Sequence, residues 1–221
     1  LVKGFKCACG VLLLPVCIGL GQAVWRVLRA SSEADTFWVA TLAGAACWVT
    51  IYYFLPRPMW AYVLGHELTH AVWTWLFGGR VKRFKVSAKG GHVIVTRTNF
   101  LITLAPYFFP LYVVGIVAGF AFGHAVWGWE RFLVWFHLLV GAAYAFHVTL
   151  TWHVLQTQQT DITEHGYLFS AVVIWLGNLM VLLLGVPLLT ARVSVATGLR
   201  WWWEATAALI VAAGRLLRSF G

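Results

Sequence analysis

The residues with the clearest capacity for chemistry are His66-Glu67-Leu68-Thr69-His70, an H-E-x-x-H pattern inside a long apolar stretch. On a helix, side chains at i and i+4 leave the same face one turn apart, so two imidazoles at this spacing can grip one metal ion. The glutamate beside the first histidine can then take a proton from a water activated by that metal. The plain structural alternative is a polar cluster packed between helices. Three ionisable groups within five residues are costly at membrane depth, however, and such groups are usually functional.

A catalytic zinc needs three protein ligands and one open position for water. The chain has only two aspartates. Asp35 falls in a short loop with Glu33, near Arg26 and Arg29, and reads as a solvated turn. Asp161 lies in the polar stretch 156–166 and is the leading candidate for the third ligand. Glu164 and His165 on the same turn, and His153 before it, compete, because zinc accepts carboxylate and imidazole alike. Asp161 also stands where an aspartate would cap a new helix, a role that does not exclude ligation.

These groups must be held by membrane elements. The 221 residues are 61% hydrophobic and only 10% charged, and mean hydropathy is +0.81. Soluble domains carry about 25% charged residues, so the expectation is an all-α polytopic, integral membrane protein. Six apolar segments, at about 7–28, 36–55, 58–77, 99–122, 132–155 and 167–190, predict about six transmembrane helices. A further segment, 199–217, holds Arg200, Glu204, Arg215 and the triplet Trp201-Trp202-Trp203, a pattern suited to an interfacial helix. The net charge of +9 comes from basic residues flanking apolar runs, which points to lipid headgroups rather than nucleic acid.

Between the third and fourth segments the pattern changes. Phe84, Val86 and Ala88 alternate with Arg83, Lys85 and Ser87, Gly90-Gly91 interrupts, and a β-branched run follows from His92 to Thr96. This predicts a small membrane-associated β-hairpin over about 81–98. Residues 80–98 also hold six of the sixteen basic residues. The positive-inside rule then sets the hairpin and the active site toward the cytoplasmic side of a cell membrane. In the fourth segment Gly115, Gly119 and Gly123 share a helical face that permits close helix packing. Pro106 and Pro110 would loosen the start of that helix, either opening a cavity or only kinking it. Cys7, Cys9, Cys17 and Cys47 read as small packing residues or a lipidation site.

The order of these features resembles the site-2 protease family of intramembrane zinc metalloproteases. The likeness rests on membrane-embedded His66-Glu67-x-x-His70, then Phe77-Gly78-Gly79-Arg80-Val81, the hairpin with Gly90-Gly91-His92, and the later Asp161. It implies a catalytic core over 58–166 within a single membrane domain, 1–221. Residues 1–55 would be accessory helices, and 167–221 the sixth helix with the interfacial carboxy-terminal one. It implies one Zn2+ held by His66, His70 and Asp161, Glu67 as general base, and a membrane-spanning protein substrate. The chain departs from the family pattern at Thr69, where glycine is usual before the second histidine. It also lacks the proline upstream of Asp161, and the next glycine comes only at Gly166. Two other readings compete: a catalytically silent metal-binding scaffold, and a haem protein using His137, His147 and His153.

Overall fold

The computed structural model describes residues 2–87 and 90–219. Helix dominates, as long apolar runs require, since backbone polar groups inside a bilayer must be satisfied within their own segment. The helices are α1 (Val2–Ala30), α2 (Asp35–Phe54), α3 (Met59–Leu76), α4 (Phe100–Leu104), α5 (Leu111–Trp127), α6 (Leu133–Leu155), α7 (Thr160–His165), α8 (Tyr167–Thr190) and α9 (Val195–Ser219). Two strands, β1 (Val81–Ser87) and β2 (Gly90–Val95), lie between α3 and α4.

Among the described residues, four stretches are long and apolar enough to cross a membrane: Gly4–Ala30, Asp35–Phe54, Trp129–Leu155 and Tyr167–Thr190. A fifth arises if Phe100–Tyr107 and Leu111–Trp127, bent by 81°, count as one span. The chain is therefore a largely helical membrane protein with a small antiparallel sheet. The segment expected at 58–77 is helical, as α3, but is not among these spans, because its histidines, glutamate and threonines dilute its apolar character. The single helix expected over 99–122 is broken. Pro106 sits in a 3-10 turn, Ala105–Tyr107, and Pro110 immediately precedes α5. Proline removes a helix hydrogen bond and clashes with the preceding turn, so two of them four residues apart stop one helix and start another.

The chain divides into two compact units, Asp35–Asp161 and Leu1–Ala34 with Ile162–Gly221. Within these units α1 packs with α8 and α9, whereas α2 packs on α6. In the Asp35–Asp161 unit, α2 and α6 approach so closely that a Cβ at Gly44 would strike the Leu138 carbonyl, and one at Gly141 the Thr41 carbonyl. Backbones can meet this way only over glycine. The seam continues into a core of Trp48, Tyr62, Ala145 and Leu150, where Trp48 Nε1 donates to Thr149 Oγ1 at 2.9 Å. The expected packing face on α5 is not used in this way. A Cβ at Gly115 or Gly119 would meet nothing within 4 Å, and Gly123 lies under the Trp129 ring.

In the other unit, α9 runs antiparallel along α1, with Gly198 against Val27 and Thr206 against Gly19. Trp202 Nε1 donates to the Val16 carbonyl at 3.1 Å. This helix, expected to lie in the interface, is not among the stretches long and apolar enough to cross a membrane.

The hairpin pairs Val86 with Gly91 and Ser87 with Gly90, with an irregularity between Val81 and Arg83. Gly90 and Gly91 therefore open the second strand instead of forming the turn. Residues 88 and 89 lie outside the described residues, and with them the Ala88 position of the expected alternation.

Candidate metal centre

His66, Glu67 and His70 stand on α3, which starts after Pro58. A proline there presets the entry of the chain and gives up no helix hydrogen bond. The two histidines converge, with Nε2 to Nε2 at 3.2 Å. Asp161, in the first turn of α7, brings Oδ2 to 3.5 Å from His66 Nε2 and 3.7 Å from His70 Nε2. Zinc–ligand bonds of about 2.0–2.2 Å in a tetrahedron give ligand–ligand edges of about 3.3–3.6 Å. The three observed edges bracket that range, so these donors fit one metal ion. Among the described residues they form the group that could hold a metal. The identity of that ion follows only from donor chemistry, and two imidazoles with one carboxylate suit zinc.

The surroundings orient each donor. His70 Nδ1 donates to the Ile102 carbonyl at 2.9 Å, which leaves its Nε2 lone pair facing the site. Ile102 is itself held by Asn99, whose side chain caps α4 by accepting from the Ile102 N–H at 2.9 Å. Tyr107 donates its hydroxyl hydrogen to Asp161 Oδ2 at 3.0 Å, and its ring meets that of His66 edge-on at 5.3 Å. Asp161 lies outside the spanning helices. Burial works to raise its carboxyl, but hydrogen bonding to His66 and His70 outweighs that and holds it well below the usual carboxylate range. It is therefore poised as an ionised donor.

Glu67 is buried beneath β2. A Cβ at Gly91 would lie 2.8 Å from Glu67 Cγ and 2.9 Å from the Lys85 carbonyl oxygen. The hairpin thus sits directly on the helix that carries the site. Thr69, fully buried, donates its hydroxyl to the Gly65 carbonyl at 2.7 Å, so this departure from glycine leaves no unpaired hydroxyl.

The competing ligands separate from the group. Glu164 is exposed, and buried His165 is engaged by Lys6, Nζ to Nδ1, at 2.6 Å. His153 is not part of the cluster. His137 and His147 are both buried, and His137 Nδ1 and His147 Nε2 have no hydrogen-bond partner among the described residues. His137 instead packs edge-on against Phe37 at 5.1 Å. The four cysteines are free thiols. Sequence reasoning missed Tyr107 and Asn99. A polar residue directly before the apolar run Phe100-Leu101-Ile102 was a legible capping signal for Asn99, whereas nothing in the sequence distinguished Tyr107 from its apolar neighbours.

No protein-family model matches this chain, and neither does any curated protein or solved structure.

Proposed function

We propose that the chain is an intramembrane zinc metalloendopeptidase resembling the site-2 proteases. The reading rests chiefly on one observation: His66, His70 and Asp161 present three donors at the edge lengths of a tetrahedral site, beside a buried glutamate that zinc binding alone does not require. Held by His66, His70 and Asp161, a zinc ion would supply a water of lowered pKa and would polarise the scissile carbonyl. Glu67 would serve as the general base, holding a proton and passing it to the leaving amine. Tyr107 keeps Asp161 aimed, and the Ile102 carbonyl keeps His70 aimed.

A membrane-spanning substrate arrives as a helix whose peptide bonds are shielded by their own hydrogen bonds. Local unwinding gives an extended strand, and a two-stranded hairpin has an unpaired edge on each side with which that strand can pair. The seat of β2 over Glu67 puts the hairpin at the right helix for this task. On this reading α3 is a further span, giving about six in all, and the basic hairpin faces the cytoplasm.

The test uses the purified full chain with labelled casein in detergent and a single-span fusion protein in proteoliposomes. Glu67→Gln is expected to abolish cleavage of both while zinc content stays near one per chain. His66→Ala and Asp161→Ala are each expected to lose the metal. Cleavage by Glu67→Gln at the wild-type rate would remove the mechanism.

A further inference from the structure

His66 and His147 line one small cavity in the Asp35–Asp161 unit, together with Tyr62, Thr69, Pro106 and Phe146. Its volume of ≈ 20 Å³ is enough for one water, which needs two to four polar partners. The Tyr62 hydroxyl and two ring nitrogens are candidates. His66 Nδ1 and His147 Nε2 are buried, and neither has a hydrogen-bond partner among the described residues. His66 turns its other nitrogen, Nε2, toward His70 and Asp161, so Nδ1 carries the proton whenever Nε2 is a ligand. A metal-ligating histidine almost always donates that second N–H to a carboxylate, a carbonyl or a water. His70 does so, to Ile102. Among the described residues, no protein group plays this part for His66. His137, whose buried Nδ1 also has no hydrogen-bond partner among the described residues, packs against phenylalanine rings and does not line this cavity.

We infer that His147 is a positioning residue for the metal centre: one water in this cavity accepts from His66 Nδ1–H and donates to His147 Nε2, fixing the tautomer and ring plane of His66. The inference rests on the metal-centre reading above. It gives α6 a direct part in metal binding, although α6 supplies no ligand. It also accounts for a buried histidine next to the site, since leaving both nitrogens unpaired would forfeit their hydration with no return.

The test is chelator competition for Zn(II) and Co(II) on the purified full chain, comparing wild type with His147→Phe, His147→Gln and His66→Ala. His147→Phe is expected to weaken binding roughly 10- to 100-fold and to shift the Co(II) visible absorption, with one ion still bound at saturation. His147→Gln keeps an oxygen that can accept from the water, and is expected to stay within a few-fold of wild type. Equal affinity in wild type and His147→Phe overturns the inference and leaves the metal centre standing. Equal losses in the phenylalanine and glutamine variants overturn it too. A wild-type chain that binds neither ion overturns both readings. Should the variants not fold, NMR of wild type carrying isotope-labelled histidine decides: His147 is expected as the Nδ1–H tautomer, and the opposite tautomer overturns the inference.

Discussion

Tyr107 donates to Asp161 Oδ2 at 3.0 Å and packs edge-on against His66, so one buried side chain steers two of the three donors. Removing only its hydroxyl leaves the ring packing intact. Tyr107→Phe is therefore expected to weaken zinc binding roughly 10- to 100-fold, the usual effect of losing an outer-shell partner, while thermal unfolding of the metal-free chain changes little. Chelator competition and a melting curve on the same preparation check this, and a wild-type affinity would reduce Tyr107 to a packing role. The ligands themselves were legible because their chemistry is scarce here. Two imidazoles at i and i+4 and one of only two aspartates leave few combinations. Their supports were not legible, since Tyr107 sits in an apolar run and the Ile102 acceptor is a backbone atom that no residue type signals.

The β-hairpin was readable from its alternation, but its register was not. Gly90-Gly91 looked like the turn, whereas Gly91 is a strand residue opposite Val86 that lets β2 lie against Glu67. A side chain at position 91 must push either the strand or Glu67 aside, because one obstacle is the Lys85 backbone carbonyl. Gly91→Val is expected to lower cleavage roughly 10- to 100-fold, in line with the penalty for small misplacements at a reacting centre. Zinc content should be unchanged, because the three donors lie elsewhere. Loss of metal in this variant would show that the hairpin supports the site rather than presenting substrate. Helix packing shows the same limit of pattern reading. The spacing of Gly115, Gly119 and Gly123 says that a backbone can come close, not that one does. The close seam forms instead at Gly44 and Gly141, isolated glycines whose partner carbonyls are far away in sequence.

For the molecule as a whole, the decisive element is α3. Its 18 residues extend about 27 Å at 1.5 Å per residue, close to the roughly 30 Å of a bilayer's hydrocarbon core. Its length therefore suits a span even though its polar residues keep it out of the most apolar class. If α3 crosses, Arg57 before it and Ser87 after it lie on opposite faces of the membrane. The bent α4–α5 pair then crosses once and α6 returns, which brings the α6–α7 connection, and Asp161 just beyond it, to the face of the hairpin. That return is what a shared metal site on α3 and α7 needs, because Asp161 has only to dip inward from its own side. Single cysteines introduced at Arg57, Ser87 and Thr157, in a background with Cys7, Cys9, Cys17 and Cys47 replaced, are expected to divide under an impermeant thiol reagent applied to sealed vesicles. Ser87→Cys and Thr157→Cys should react from one side, the cytoplasmic one, and Arg57→Cys from the other. Reaction of Arg57→Cys and Ser87→Cys from the same side would make α3 re-entrant, with His66, Glu67 and His70 reached from a single face of the bilayer.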